Sequence, residues 1–394
     1  NDGIEDALNI GQVIKEGDLS QDEIIFLKRI QQAWDFYEGY HWEGIDDLDH
    51  PQVTFNYCRP FVNKFVAFEF GRGFTIKTPV EIEEEEVTVN DPVIDTDPDL
   101  NDDGEVTSEE VKDDKKIVRE KTQAEYLNEV WDSNNRDTLI TELGQTKSIT
   151  GEAWVKVQYQ SPEDYRDPFE KYPNGRIKLS VIPTQFVFPR YDDHDKDMLE
   201  SLLIMYPITA ERETGLLMRR KVKTKVMYRE YWTADEIVVY IDGKESDRMD
   251  NPYGVIPFVQ IKNFPVAGKE RGQNDLDDII PLNVEFNTKK SDVSEVIDYH
   301  SAPITLVYGA KIGNLEKGAN KVWGGLPKDA KVENLGLQGD LTASANYMSE
   351  CKTAMCEIGG IPETVLGGAA AISNTSGVAL QYINLPLIER TRVK

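Results

Sequence analysis

Apolar residues recur at intervals of three and four positions over residues 273–302, and this spacing predicts one long amphipathic helix. The apolar positions form a single stripe, which we expect to be buried: Leu276, Ile279, Ile280, Val284, Phe286, Val293, Val296 and Ile297. A helix from Asn274 to Tyr299 would be roughly 39 Å long at its standard rise per residue. Pro281 lies inside the pattern, so it either kinks the helix or marks its first turn.

The pattern changes beyond Pro303. Alternating β-branched and apolar residues at 304–308 predict a strand, and glycines then divide the chain into short pieces up to Pro327. Helical spacing returns over residues 340–359 and stops at Gly359-Gly360. A segment rich in glycine and alanine, residues 360–375, precedes a third helical pattern. The predicted order is therefore helix, small β-rich region, helix, small-residue loop, helix.

The N-terminal part predicts helices followed by strands. Ser20 and Glu23 form a capping box ahead of an amphipathic helix that Gly39 ends. Residues 58–70 predict a helix or a strand, rich in aromatic side chains and buried against that first helix. Two further helices are predicted, over 124–131 and 139–149, with a break between them. Short strands follow over 151–157, 177–182, 186–188, 202–206, 226–232, 237–241 and 256–261. They favour a curved antiparallel sheet, and the fold class is α+β.

Composition indicates a soluble, folded protein with more than one subdomain. The chain has 394 residues, of which 39% are hydrophobic and 29% charged. No apolar run is long enough to span a membrane, and no signal-peptide pattern occurs, so we expect cytosolic assembly and no membrane contact. Three cysteines are too few for a disulfide framework. Cys351 and Cys356 are expected to be buried free thiols. The chain starts without Met and stops within a helical pattern, so we expect further residues beyond it.

Charge restricts how nucleic acid could be bound. The net charge of −27 argues against DNA held by phosphate contacts, although DNA could still pass by. Residues 81–116 contain 16 acidic and 3 basic residues, which is typical of a solvated loop. The most basic run comprises Arg219, Arg220, Lys221, Lys223 and Lys225. It is either a contact to nucleic acid or an acidic neighbour, or the solvated face of a hairpin.

A calcium-binding pattern lies inside the acidic insert. Residues 99–110 match D-x-[DN]-x-[DN]-G-x5-E without a mismatch. Oxygens at alternate positions would converge on one Ca²⁺, Gly104 would make the sharp turn, and the last glutamate would bind through both oxygens. The expected ligands are Asp99, Asn101, Asp103, Glu105, Thr107 and Glu110. No entering helix precedes the loop, and an Asp-rich segment can match this pattern by chance.

Patterns typical of enzymes are not found. The sequence has no G-x-x-x-x-G-K-[ST] phosphate loop, no H-E-x-x-H, and no cysteine-rich zinc pattern. His41 and His50 are interpreted as packing or surface residues, because no second metal ligand is suitably spaced. We therefore expect no catalytic residues and no organic cofactor.

Several motifs resemble those of phage portal proteins, the ring proteins at the unique vertex of tailed double-stranded DNA phages. The residues that carry the resemblance are Phe36–His41, Phe55–Tyr57, Pro60–Val62, Gly71–Gly73, Gly151-x-Ala153-x-Val155, Ile361–Glu363, Leu366–Gly368 and Ser376–Leu380. In that family a small-residue tunnel loop leads into a helix that kinks further on, and Pro386 is suitably placed for the kink. The resemblance covers roughly residues 20–394, apart from the acidic insert.

The resemblance implies an organisation into wing, stem, clip and tunnel loop, with the crown absent. The expected regions are an N-terminal helix and wing (1–272), stem helix 1 (273–302), clip (303–339), stem helix 2 (340–359), tunnel loop (360–375) and the start of a long kinked helix (376–394). The implied assembly is a dodecamer in the virion, made in the host cytoplasm. Its implied partners are the large terminase, a head-tail adaptor, the major capsid and scaffolding proteins, and double-stranded DNA passing through without sequence-specific binding.

Two groups of site residues follow from the resemblance and from residue chemistry. The expected channel lining combines small or apolar loop residues with stem residues: Val365, Leu366, Gly367, Gly368, Ala369, Ala370, Ala371, Ile372, Ser373, Asn374, Asp275, Asp278, Glu285, Lys289, Lys290, Asp292 and Glu295. The acidic members would repel DNA and let it slide. The expected docking rim for terminase and adaptor is Lys311, Lys317, Lys321, Trp323, Lys328 and Lys331. Trp323 and Val332 are expected to face neighbouring subunits.

Other interpretations remain open at this point. The small-residue loop could be an ordinary flexible linker between two helices. The whole chain could be a calcium-dependent structural or adhesion protein built around residues 99–110. It could also be a hydrolase that uses acidic residues of the β-rich region.

Overall fold

A computed structural model describes most of the chain as an α+β fold. The described residues are 19–42, 50–71, 73, 76, 122–163, 172, 174–214, 220–301, 304–309, 327–335, 341–367 and 377–394. The helices are α1 (Gln21–Glu38), α2 (Cys58–Phe70), α3 (Gln123–Ser133), α4 (Arg136–Thr150), α5 (Ile280–Ser301), α6 (Thr342–Gly359), α7 (Gly377–Ile383) and α8 (Leu385–Val393). None of these helices is long and apolar enough to cross a membrane.

The strands are β1 (Glu152–Gln160), β2 (Arg176–Ile182), β3 (Val187–Tyr191), β4 (Leu199–Thr214), β5 (Arg220–Trp232), β6 (Glu236–Ile241), β7 (Lys244–Asp250), β8 (Phe258–Lys262), β9 (Ile304–Tyr308) and β10 (Lys331–Leu335). They form antiparallel sheets with the orders β2-β1-β8, β3-β4-β5-β6-β7 and β9-β10. The prediction of one curved sheet is therefore wrong, because the strand region divides into a three-stranded and a five-stranded sheet. Strand β7 was missed because all its residues are exposed, so it has no apolar alternation.

The capping signals around α1 are confirmed. The Ser20 hydroxyl accepts a hydrogen bond from the Glu23 backbone N–H at 3.3 Å, and the Glu23 carboxylate accepts one from the Ser20 N–H at 2.7 Å. Gly39 ends the helix with φ of 100°, a left-handed conformation that favours glycine. Residues 58–70 form a helix, which settles the open choice between helix and strand.

The long β4–β5 hairpin carries the basic run. Its register pairs Lys221 with Glu213 and Lys223 with Glu211 across the two strands. The described part of the basic run therefore lies within a regular antiparallel hairpin, while Arg219 lies outside the described residues.

One apolar cluster joins the N-terminal helices to the C-terminal ones. It contains buried side chains from α1, α2 and the ends of α4, α5, α6 and α8, among them Ala33, Phe61, Phe65, Ile149, Leu276, Ile279, Met355, Ile361 and Leu387. A Cβ added to Gly359 would lie 2.4 Å from the Phe61 ring, so α6 can approach α2 this closely only through a glycine. Here the cluster is called the hub. All three cysteines are free and buried, as expected for Cys351 and Cys356.

Helix α5 begins at Ile280 and not at Asn274 as the periodicity predicted. The Asn274 side chain accepts hydrogen bonds from the N–H groups of Leu276 and Asp277, which makes a turn there instead. Pro281 lies in the first helical turn, where its missing N–H costs nothing, so the kink alternative is wrong. Val284 is 42% exposed and Ile297 52% exposed, contrary to the fully buried stripe that was predicted.

Two glycines let the end of α4 touch the segment before α5. A Cβ on Gly272 would lie 2.2 Å from the Gly151 carbonyl oxygen, and one on Gly151 would lie 2.6 Å from the Gly272 oxygen. Real Cβ atoms do not approach backbone oxygen so closely. The contact places the start of α5 directly beside the junction of α4 and β1.

We expect Gly272→Ala to lower the free energy of unfolding by about 1–3 kcal/mol, because the new methyl group must push two backbone segments apart. Gly377→Ala is the matched control, since nothing lies within 4 Å of a Cβ at that position. Denaturant unfolding of both variants and the parent measures the difference. Equal midpoints for the two variants would show that the glycine contact does not constrain the fold.

Candidate functional site

Helix α5 holds the segment 53–57 through a ladder of polar side chains. The N–H groups of Val53, Phe55 and Tyr57 donate to Ser291, Asn287 and Asn283 at 3.0, 2.9 and 3.1 Å, respectively. Four helical residues rise about 6 Å, which is close to the roughly 6.6 Å between alternate residues of extended chain. The spacing of four on the helix therefore matches a spacing of two on the segment, and all three α5 side chains are buried.

His41 completes this ladder. The Asn287 oxygen is occupied by the Phe55 N–H, so its nitrogen faces His41 Nδ1, at 2.6 Å. His41 Nε2 lies 3.1 Å from the Phe36 carbonyl oxygen and donates to it. The geometry thus requires a neutral ring with its proton on Nε2. Burial lowers the pKa of His41, which favours the same neutral form.

Both N-terminal histidines behave as the sequence indicated. His41 stacks on Phe36 with ring centroids 4.4 Å apart, which is a packing role. His50 lies at the surface, with its Nδ1 3.0 Å from the Glu295 carboxylate. No cluster of three or more metal-ligating side chains occurs among the residues that the structure describes.

The expected stem charges are mostly paired within the chain. Lys289 forms an ion pair with Asp292 at 3.0 Å, and this contact raises the pKa of Lys289. The Lys290 ammonium lies 5.5 Å from the centre of the Phe55 ring. Glu285 is half-buried and its charge raises the pKa of Tyr347. Lys289 is therefore paired with a carboxylate, whereas Lys290 keeps its charge while lying against the Phe55 ring.

The segment after α6 starts on the hub. Gly360 ends the helix in the left-handed conformation, with φ of 64°, and the next side chain, Ile361, is buried. Consecutive turns follow, in which the N–H groups of Val365 and Leu366 donate to residues 362 and 363 at 2.9 and 3.1 Å. Val365 and Leu366 pack partly against the hub. An ion pair between Lys352 and Glu363 attaches this segment to α6.

The chain returns to the hub through α7 and α8. Helix α7 has no buried residue, and Tyr382 on it is 72% exposed. The helical path breaks at Asn384, and Pro386 lies in the first turn of α8, so the predicted interruption near Pro386 is confirmed. Leu387 is fully buried in the hub. Ile361 before the small-residue loop and Leu387 beyond α7 are thus buried in the same core.

Asp275 is the main polar anchor of this arrangement. Its side chain is fully buried, and it accepts hydrogen bonds from Ser148 at 2.6 Å, from Asn263 at 3.2 Å and from Arg390 at 3.1 Å. Lys394 forms an ion pair with it as well. The expectation that Asp275 lines a channel is wrong, because the residue precedes α5 and points into the protein.

Aromatic rings enclose the cations of this anchor. The Arg390 guanidinium lies 5.1 Å from the centre of the Phe65 ring and 4.8 Å from that of Phe264. The Lys394 ammonium lies 4.3 Å from the Phe65 ring centre. Burial lowers the pKa of Lys394, although the neighbouring Asp275 carboxylate opposes that shift. Helix α8 is therefore attached by both charge and aromatic contact.

Other predicted site residues fall into two groups. Asp278 is exposed beside the start of α5, Lys331 and Val332 are exposed on β10, and Lys328 is exposed just before that strand. The remaining ones lie outside the described residues: Asp99, Asn101, Asp103, Glu105, Thr107, Glu110, Lys311, Lys317, Lys321, Trp323, Gly368, Ala369, Ala370, Ala371, Ile372, Ser373 and Asn374. The residues that sequence reasoning missed are those of the polar ladder and of the Asp275 anchor.

Comparison with known proteins gives the class of this chain. Residues 18–394 match the family model described as phage portal protein, SPP1 Gp6-like. The chain therefore belongs to the phage portal protein family. No curated protein matches it.

Solved structures that the chain matches include parts of gene transfer agent particles. One is the neck of an empty particle computed with C6 symmetry, with a TM-score of 0.38 and 13% identity over 65% of this chain and 63% of that one. Another is the neck of a native particle computed with C12 symmetry, with a TM-score of 0.36 and 13% identity over 65% and 64%. The chain thus spans less than two thirds of those proteins.

Removing the charge of Asp275 tests the anchor. We expect Asp275→Asn to destabilise the protein by about 3–5 kcal/mol, because the Arg390 and Lys394 cations would remain buried without their counter-charge. Asp278→Asn, three residues away and exposed, is the control and should change little. Denaturant unfolding gives the free energies, and limited proteolysis should cut near α8 first in the Asp275 variant. An Asp275→Asn protein as stable as the control would contradict the proposed anchoring.

Proposed function

We propose that this chain is the subunit of a portal ring, through whose central channel double-stranded DNA is packaged and ejected. The observation that carries the proposal is the membership of residues 18–394 in the portal family. The geometry supports it, because two helices and a small-residue loop are held at their bases by one hub. By this proposal the ring contains 12 copies, occupies the portal vertex of the virion and is assembled in the host cytoplasm with capsid and scaffolding proteins.

The proposed mechanism is passive. A separate large terminase would hydrolyse ATP, and the ring would act as conduit, docking platform and valve. Sliding requires that no site holds DNA tightly, and many free lysines around a ring would do so through phosphate contacts. The local pairing of Lys289 with Asp292 reduces that attraction on α5. The acidic Glu285 and Asp292 would be repeated in every subunit.

The narrowest point of the channel is proposed to be the loop 360–375. Its residues 367–371 are glycine or alanine, and Val365, Leu366 and Ile372 are apolar, so a ring of them would present little bulk at its centre and few hydrogen-bonding groups. The described flanks support this assignment, since Ile361 on one side and Leu387 on the other are buried in the hub. A loop whose chain is held by the hub at Ile361 and again at Leu387 can change shape without moving that base.

Locking this loop tests the proposed function. Cysteines introduced as Ala370→Cys and Ser373→Cys would be cross-linked between neighbouring subunits, and the native cysteines are buried and should not compete. We expect cross-linked rings to package DNA more slowly than the parent and to recover when the cross-link is reduced. The single variant Ala370→Cys, treated identically, is the control. Parental packaging and retention by locked rings would show that the loop is neither gate nor valve.

Docking of the terminase, and later of the head-tail adaptor, is proposed at the clip, residues 303–339. The supporting observation is a group of lysines in an otherwise acidic chain, of which Lys328 and Lys331 are exposed. Changing Lys321, Lys328 and Lys331 to Glu should abolish terminase pull-down while rings still form. The control changes three exposed lysines elsewhere, Lys223, Lys244 and Lys269, to Glu. Equal terminase binding by both triple variants would move the docking surface away from the clip.

We also propose that residues 99–110 bind one Ca²⁺ per subunit through the six ligands identified from the sequence. The complete loop pattern motivates this proposal. Isothermal titration with Ca²⁺ should give binding heat for the parent that is lost in Asp99→Ala. Asp91→Ala changes an acidic residue of the same insert outside the loop and should leave the heat intact. Weak heat of equal size from all three proteins would indicate non-specific binding to an acidic segment.

A further inference from the structure

The outer edge of β2 exposes backbone hydrogen-bonding groups. β2 is an edge strand in the order β2-β1-β8. On β1, Val157 donates its N–H to the Pro257 carbonyl at 2.9 Å, and therefore directs its backbone groups away from β2. Its register partner on β2 is Leu179, and Val155 pairs with Val181. Leu179 and Val181 both belong to non-hydrogen-bonded antiparallel pairs with β1. Their backbone N–H and C=O groups therefore point outward, away from β1.

A side chain already occupies part of this edge. Asn134 Oδ1 accepts the Leu179 N–H at 2.9 Å, and Asn134 Nδ2 donates to the Ile177 carbonyl at 2.9 Å. This amide imitates a neighbouring strand for one step of the ladder. Within the described part of the chain, the Leu179 carbonyl and both backbone groups of Val181 have no such partner. Pro183, which lacks an N–H, ends the edge.

A polar groove runs beside these free groups. It consists of two adjoining cavities of about 310 and 470 Å³ that share Thr138 and Glu142. One wall is the outer face of α4, and the other is β2 at residues 179–181. The charged residues that line it, Asp137 and Glu142, are both acidic. We call this surface the edge groove.

The two carboxylates of the edge groove are not paired with a lysine, arginine or histidine of the described chain. Neither Asp137 nor Glu142 forms an ion pair with any residue that the structure describes. Glu142 is exposed overall, and partial desolvation of its carboxylate raises its pKa. A positive group placed in the groove would lower the pKa of Glu142, and the ionised carboxylate would in turn stabilise that positive group.

We propose that the edge groove binds an extended, basic peptide segment of a partner protein, which adds as a fourth strand beside β2. The backbone of the segment would pair with Val181 and with the Leu179 carbonyl. The side chains of Leu179 and Val181 pack against the cluster containing Leu143 of α4. Every second residue of the added strand therefore faces α4, where a lysine or arginine reaches Glu142.

Charge selects this occupant over the chain's own insert. Residues 81–116 carry 16 acidic and 3 basic residues and would meet like charges at Asp137 and Glu142. A basic segment meets opposite charges there and satisfies the backbone groups as well. The proposal does not depend on ring formation, so it is tested on the full chain in solution and is independent of the portal function.

The test uses two labelled peptides, one alternating Lys and Thr and one alternating Glu and Thr, in fluorescence anisotropy. We expect the Lys–Thr peptide to bind and the Glu–Thr peptide not to bind. The double variant Asp137→Asn with Glu142→Gln should weaken binding by about tenfold. Glu350→Gln, on the exposed side of α6, is the matched control and should leave binding unchanged.

A second measurement separates strand addition from simple charge attraction. Val181→Pro removes the outward N–H, and an edge strand tolerates proline at such a position. It should weaken the Lys–Thr peptide several-fold, and hydrogen exchange of the parent should show new protection of the Val181 amide on binding. Unchanged binding in both groove variants, or no protection of Val181, would overturn the proposal and assign any peptide binding to the acidic insert.

Discussion

A buried carboxylate, that of Asp275, connects the end of the β-rich region to the approach to α5 and to α8. Asp275 has no exposure to water, and an isolated charge in that position would be strongly unfavourable. Its oxygens are satisfied from three directions, by Ser148 at the end of α4, Asn263 after β8, and Arg390 on α8. Because Asp275 lies in the turn that leads into α5, the approach to that helix and the position of α8 are fixed by the same group.

The contacts around Asp275 hold α5 and the hub together on either side of the small-residue loop. The Gly151–Gly272 approach and the Ser291–Asn287–Asn283 ladder hold α5 at its start and along one face. The hub buries Ile361 and Leu387 on the two sides of the loop. Helix α7, between the loop and α8, has no buried residue. Packing on the hub therefore involves the chain before the loop and resumes only on α8, which is consistent with the proposed role of the loop as a constriction.

The same architecture accounts for the apolar residues that remain at the surface of α5. Val284 and Ile297 belong to the apolar stripe by sequence, but the contacts of one chain leave them exposed. Symmetric assemblies bury such residues between copies. The exposure of Val284 and Ile297 in a single chain is therefore consistent with a ring in which a neighbouring copy covers them.

Much of the fold follows from local signals in the sequence, and the exceptions have physical causes. The capping box at Ser20 and the stop at Gly39 involve neighbours only, so they could be predicted. Asp275 was misplaced because the apolar spacing continues upstream of the helix through Leu276, whereas the Asn274 side chain makes a turn there. The polar ladder was missed because Asn283, Asn287 and Ser291 bind residues 53–57, which are far away in the sequence. Their spacing alone does not indicate this partner segment.

The family of the chain was recognised from short motifs, whereas the site depends on long-range contacts. The loop is predicted from its small residues and its position between helices, and residues 368–375 lie outside the described part of the chain. Its anchoring could not, because Arg390 and Asp275 are separated by more than a hundred positions and show no shared pattern. Burial of a charge is decided by tertiary packing, which composition and periodicity do not describe.

The most direct test of this account is electron cryo-microscopy of the purified, assembled chain. We expect a closed ring with a central channel, with α5 and α6 of every copy around it and residues 360–375 at its narrowest point. Val284 and Ile297 should then be covered by a neighbouring copy. Isolated subunits under assembly conditions, or a ring in which residues 360–375 face outward, would contradict the central claim that this loop forms the constriction of a portal channel.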